Sequence, residues 1–240
     1  MPEKVVITGM GLITSLGLSL EENWQNLIAG KSGVKNITLF DATALATRFA
    51  AEVPSEFEEL SRRYIKKRAA SQMTRVTRMC VTAAKIAVSD AGLNFDQVDR
   101  SRCGVIIGVV NTGNSSSEND TTPQNTVFKT MTNSMPAWIS LEYQLTGPNY
   151  AVNTACASSA YAVAFGYEMI RNGQADIVIT GGADSIINFE EIQGFGALYA
   201  LSSANDPPEQ ASKPFSKDRD GFVIGEGAGV LVLELSLIHI

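Results

Sequence analysis

Tyr150-Ala151-Val152-Asn153-Thr154-Ala155-Cys156-Ala157-Ser158-Ser159-Ala160 is the stretch on which the fold turns. Tyr150 to Val152 is a short apolar run of β type. From Ala160 to Ile170 the pattern becomes helical, with Tyr161, Phe165, Met169 and Ile170 among its apolar residues, and Gly173 stops it. Cys156 stands at the junction among small residues. A strand-to-helix turn presents its side chain at the sheet edge and beneath a helix N-terminus, where partial positive charge favours a thiolate. Small neighbours let a substrate come close. The stretch therefore proposes a cysteine nucleophile. The alternative is a buried apolar cysteine, a common use of the residue.

Around this junction, uniformly apolar strands alternate with helices. Val5 to Thr8 reads as a buried strand closed by Gly9-Met10-Gly11. A helix follows, with Ser19 as N-cap, Glu21 and Glu22 in its first turn, and Trp24, Leu27 and Ile28 on one face up to Gly30. The Gly-Met-Gly pair is no dinucleotide fingerprint, because Thr14 stands where a third glycine is required. Residues 31–60 read as irregular, with an extended piece at Arg48 to Val53. From Met73 to Ala91, the residues Val76, Met79, Cys80, Ala83, Ala84, Ala87 and Val88 recur at helical spacing, and Gly92 closes the helix.

Val105-Ile106-Ile107 is a second strand, followed by a polar loop from Asn111 to Asn119. Ala137 to Leu145 reads as a helix stopped by Gly147-Pro148. Ile177-Val178-Ile179 is a fourth strand closed by Gly181-Gly182. Phe222-Val223 and Val230 to Leu233 read as two further strands. Apolar strands alternating with helices predict an α/β fold with a mostly parallel sheet and helices on both faces.

Composition narrows the function. Of 240 residues, 45% are hydrophobic, enough for a sizeable core, and the net charge of -6 argues against general nucleic-acid binding. Cys80, Cys103 and Cys156 show no metal-ligand spacing and fit a reducing compartment. Neither a signal peptide nor a membrane-spanning run is expected, so the cytoplasm is the expected location. Arg62, Arg63, Lys66, Lys67, Arg68, Arg75 and Arg78 form a basic segment. It reads either as a solvated face or as a docking patch for an acidic partner.

Several motifs, in order, resemble the N-terminal half of a β-ketoacyl-acyl carrier protein synthase of the type II elongating kind. They are Val5-Val6-Ile7-Thr8-Gly9-Met10-Gly11, Asn153-Thr154-Ala155-Cys156-Ala157-Ser158 and Gly181-Gly182-Ala183-Asp184. Gly194-Phe195-Gly196-Ala197 through Leu201-Ser202 and Lys213-Pro214-Phe215 through Asp218-Arg219-Asp220-Gly221-Phe222 complete the set, continued by Gly225, Gly227 and Gly229. The resemblance spans residues 3–234.

It implies the N-terminal half of a thiolase-like fold, of order β-α-β-α-β-α-β-β, in a homodimer. The implied reaction is a decarboxylating condensation. Cys156 accepts an acyl group from acyl carrier protein, and malonyl-acyl carrier protein supplies the carbanion. The backbone N–H of Cys156 is then one of two oxyanion donors. No cofactor and no metal are implied.

Lys66, Lys67 and Arg68 are the expected carrier-protein docking residues, because Ser71 and Gln72 occupy positions where the family is expected to be basic. Asn111 and Thr112 lie in the loop expected near the acyl pocket, which here is poorer in glycine than usual.

The family also draws two histidines, a lysine and a second oxyanion donor from its C-terminal half. The only histidine here is His239, and it is not expected to serve as the base. The domain is expected to run over residues 1–234. Residues 235–240 are expected to be a non-native tail of the kind one frame of a sequencing-library adapter encodes.

Three other readings are weighed. A non-catalytic chain-length-factor-like subunit is disfavoured by the retained Cys156. A coenzyme A-dependent thiolase-like acyltransferase is disfavoured by the Lys213 to Gly221 motif. A cysteine hydrolase would want glycines on both sides of Cys156, and both are missing. Acyl chain length, and the choice between fatty-acid, polyketide and aryl-polyene synthesis, stay open.

Overall fold

A computed structural model describes residues 4–112 and 123–236. In chain order the elements are β1 (Val5–Thr14), α1 (Leu20–Ile28), β2 (Lys35–Asn36), β3 (Phe49–Ala50), α2 (Phe57–Tyr64), α3 (Lys67–Ala70), α4 (Arg75–Asp90), β4 (Cys103–Gly108), α5 (Pro123–Thr130), α6 (Ser134–Tyr143), β5 (Asn149–Val152), α7 (Ser158–Arg171), β6 (Ile177–Asp184), α8 (Phe189–Ala197) and β7 (Gly227–Leu235). They gather into two compact units. One holds residues 1–12, 58–184 and 228–240, the other residues 13–57 and 185–227.

The first unit is built on a five-stranded sheet of order β1-β7-β6-β4-β5. β4 lies parallel to both neighbours, Val105 opposite Asn149 on one side and Ile179 on the other. Every residue of β4 is buried, as the uniformly apolar run predicted. A core cluster joins Ile106, Val178 and Leu233 of the sheet to Ala162 and Ile170 of α7.

The predicted spacing of α4 holds. Val76, Met79, Cys80, Ala83, Ala84, Ala87 and Val88 are all buried, Thr74 caps the helix by accepting from the Thr77 N–H, and Gly92 takes φ +63° just past its end.

Two expectations are corrected. Gly9 and Gly11 do not close β1, which runs on to Thr14. A Cβ at Gly9 would lie 2.1 Å from the Ala87 carbonyl oxygen, and one at Gly11 2.0 Å from that of Ala83. Glycine there lets α4 press against the strand instead of ending it. Nor do residues 222–233 form two strands. β7 is a single strand, and Phe222 and Gly225 make only isolated bridges, to Leu201 and Ala51.

The second unit packs Ala50, Ile187, Ile192, Leu201 and Ile224 into one cluster, and Val34, Phe49 and Ala211 into another. Ser19 caps α1 as expected, accepting from the Glu22 N–H at 3.2 Å. The residue that α1 buries, however, is Asn23, which donates to the Gly17 and Ser19 carbonyls. Trp24, Leu27 and Ile28 face outward. No described helix is long and apolar enough to cross a membrane.

Candidate active site

Cys156 sits where the sequence places it, in the short turn between β5 and α7, and its side chain is exposed. The turn is unusual in its backbone. Ala155 takes φ +52°, a left-handed conformation seldom adopted by a residue with a side chain. Two polar side chains hold it there. Asn153 Oδ1 accepts the Ala155 N–H at 3.2 Å. Ser158 Oγ accepts the Thr154 N–H at 2.9 Å and donates to the Ala155 carbonyl at 2.6 Å. Among the described residues no group accepts the Cys156 N–H. That N–H is therefore available to an incoming oxygen.

The first turn of α7 rests directly on the ends of β4 and β6. A Cβ at Gly108 would fall 2.4 Å from the Ser158 carbonyl carbon and the Ser159 nitrogen. One at Gly182 would fall 1.9 Å from Ser159 Oγ and 2.8 Å from the Gly108 carbonyl oxygen. Helix N-terminus, Cys156 turn and strand ends are thereby seated as one block. Gly108→Ala will cost about 3 kcal/mol of stability, the upper range for overpacking, because the obstruction is backbone that cannot rotate away. Urea denaturation checks this; a loss below about 0.5 kcal/mol would mean the block is looser than described.

The other two cysteines are unlike Cys156. Cys80 is fully buried on α4, and burial pushes its thiol up to about 12. Cys103 begins β4 and donates to the Asp99 carbonyl at 3.3 Å. Burial first, then the Asp176, Asp99 and Glu234 carboxylates, push it up to about 11.

Only the start of the loop expected near the acyl pocket, through Thr112, is described. Asn153 Nδ2 reaches the Val110 carbonyl at 3.4 Å, so the loop after β4 starts beside the Cys156 turn. Thr112 turns inward, is buried, and donates to the Thr130 carbonyl at 2.9 Å, a tie that fixes the end of α5. Asn111 is half-buried. Gly113 to Asn119, and His239, lie outside the described residues.

The basic segment divides. Arg75 and Arg78 both pair with Glu58, at 3.1 and 2.6 Å, and Arg63 pairs with Glu59. These are fold contacts. Lys66, Lys67 and Arg68, in and just before α3, are exposed and form no ion pair among the described residues.

In the second unit the Leu201–Phe222 motif closes on itself. Phe195 meets Phe222 edge-on at 5.7 Å, and Asp220 accepts from the Ser203 N–H at 3.0 Å. The Ser202 hydroxyl and that N–H hold the Asp220 carboxyl below the usual carboxylate range.

Sequence reasoning gave Asn153 and Ser158 no role in shaping the turn. Asn and Ser within four residues of a cysteine are the available signal, since both types bond to nearby backbone.

Residues 2–237 match the family described as "Beta-ketoacyl synthase, N-terminal domain". The 3-oxoacyl-[acyl-carrier-protein] synthase 2 of Vibrio cholerae is 36% identical, across 96% of this chain and 58% of its own length. The chain thus spans little more than half of such relatives. Among solved structures, the ishigamide ketosynthase/chain length factor matches with TM-score 0.85 at 31% identity, over 99% of this chain and 60% of that one. A type II polyketide synthase acyl-carrier protein in complex with its ketosynthase, AntDE:AntF, matches with TM-score 0.81 at 26% identity, over 99% and 59%. With its thiolase-like α/β sheet, the chain belongs to the beta-ketoacyl synthase family and corresponds to that family's N-terminal domain.

Proposed function

We propose that this chain is the acyl-accepting half of a β-ketoacyl-acyl carrier protein synthase acting in fatty-acid or polyketide synthesis in the cytoplasm. The observation that carries the reading is the turn at Cys156: an exposed sulfur at a helix N-terminus, with an unclaimed backbone N–H on the same residue. The Cys156 thiolate attacks the carbonyl of an acyl thioester, and the developing oxyanion takes a hydrogen bond from that N–H. The C–S bond to the carrier breaks, its thiol leaves with a proton, and the acyl group stays on Cys156. Malonyl-carrier protein then loses carbon dioxide, and its carbanion attacks the Cys156 thioester and frees the thiolate. The groups that assist decarboxylation belong to the C-terminal half of the family.

The test is acyl transfer followed by mass mapping. The full-length enzyme should gain one acyl group on Cys156 from acyl-carrier protein, and Cys156→Ala should abolish it. Acylation that persists in Cys156→Ala would overturn the assignment. Residues 1–234 form the catalytic-half domain in this reading, and the full enzyme is a homodimer.

Carrier protein is the proposed partner, docking on Lys66, Lys67 and Arg68. The support is their free, exposed charge beside arginines that are already paired, together with the relative whose structure holds a carrier protein. Acidic carrier helices would be steered by such a patch, with strong salt dependence. Reversing all three charges in the full-length enzyme will weaken carrier binding by about tenfold or more at low salt, and the difference will shrink as salt screens it. Isothermal titration at two salt concentrations measures both. Unchanged affinity at low salt would remove the patch from the reading.

A further inference from the structure

We propose that Ser158 is a positioning residue for Cys156: its hydroxyl holds the nucleophile turn in the left-handed conformation that sets the sulfur and the N–H of Cys156 beneath α7. This rests on Cys156 being the nucleophile. Ala157, the N-cap of α7, has no side-chain oxygen to offer the helix. The hydroxyl of Ser158 turns backward across the turn, accepting from the Thr154 N–H and donating to the Ala155 carbonyl. The Ser158 backbone N–H bonds the same carbonyl at 3.0 Å, so one residue grips Ala155 twice. Ser158 is 3% exposed, so water does not readily replace the hydroxyl.

Without it the Thr154 N–H loses its acceptor, and a single bond is left on the Ala155 carbonyl. Ala155 at φ +52° has more comfortable basins to fall into. Cys156 follows Ala155 directly, so its sulfur and its N–H move together when that residue relaxes. The strain at Ala155 and the buried hydroxyl that restrains it are two observations of one device.

The test uses the full-length enzyme with three substitutions. Iodoacetamide at neutral pH is mapped by peptide mass spectrometry at Cys156, Cys80 and Cys103, with a thermal melt alongside. In Ser158→Ala the alkylation rate at Cys156 will fall about fivefold, the factor associated with losing a helix N-terminus interaction. Ser158→Thr, which keeps the hydroxyl, will recover the parental rate to within about twofold. Cys80 and Cys103 will stay protected throughout. A parental rate at Cys156 in Ser158→Ala overturns the proposal. So does joint labelling of Cys80 and Cys103, which would make the hydroxyl a support of the whole fold.

Should Ser158→Ala lose its cooperative melt, Ser158→Cys decides: its thiol fills the same place but hydrogen-bonds only weakly, and a parental Cys156 rate there also overturns the proposal. Failure of the functional reading is separate: alkylation that depends on Ser158, with no acyl transfer to Cys156 in the full-length enzyme, keeps the clamp and removes the reaction. No labelling of Cys156 in the parent overturns both.

Discussion

Iodoacetamide at neutral pH will modify Cys156 before any detectable fraction of Cys80 or Cys103. The gap will exceed about a hundredfold, because burial denies these two thiols both ionisation and access. Only the thiolate reacts, and at pH 7 a thiol pushed up to about 12 is ionised to roughly one part in 10⁵, one at about 11 to one in 10⁴. Both thiols are also sealed, Cys80 on the buried face of α4 and Cys103 at 1% exposure. Labelling them requires local opening, whose population is itself small. Cys156 needs no opening. Peptide mapping over a time course reads all three sites in one sample. Cys80 or Cys103 labelled first in folded protein would remove Cys156 from its assigned role.

The elements that the sequence made legible share one property: their pattern reports their own burial. The run Val105-Ile106-Ile107 is apolar because both faces of β4 are covered, and α4 shows helical spacing because one stripe of it is packed. Cys156 was legible from its position between such elements. Patterns failed where a residue answers to a distant neighbour. Gly9 and Gly11 read as a stop, yet they are mid-strand because a helix backbone lies 2.0–2.1 Å from where a Cβ would be.

Of the four helices left unassigned (α2, α3, α5 and α8), two were missed for local reasons. α8 carries a sound start signal, with Asn188 accepting from the Glu191 N–H, but Gly194 and Gly196 inside it masked the period. α5 begins at Pro123, a favoured first helical position that went unused. The positive φ of Ala155 had no signal at all, since alanine does not announce a left-handed turn as glycine does.

The 240-residue chain alone will release no measurable carbon dioxide from malonyl-carrier protein, and it will associate rather than melt as a clean monomer. The chemical part rests on donors. Removing one oxyanion donor costs about 10²–10³ in rate, and the resemblance implies that a second donor, two histidines and a lysine lie in the part of the relatives' length that these 240 residues do not span. The structural part rests on α7. Only Ser158, Ala162, Gly166 and Ile170 of that helix are buried, a single stripe at i, i+4 spacing. The remaining surface carries Tyr161 at 49% and Phe165 at 48% exposure, with Ala160 and Ala164 between them. A helix apolar on nearly every side is normally covered on every side. Trp24, Leu27 and Ile28 add a second exposed apolar set on α1. Patches of this kind drive association when uncovered. Size-exclusion chromatography with a thermal melt, and carbon dioxide release against Cys156→Ala, check the two parts separately. Turnover that disappears in Cys156→Ala would overturn the chemical part, because one half would then suffice for decarboxylation. A sharp melt from a monomer would overturn the structural part, and Tyr161→Ser with Phe165→Ser would then leave the elution volume unchanged instead of shifting it toward the monomer.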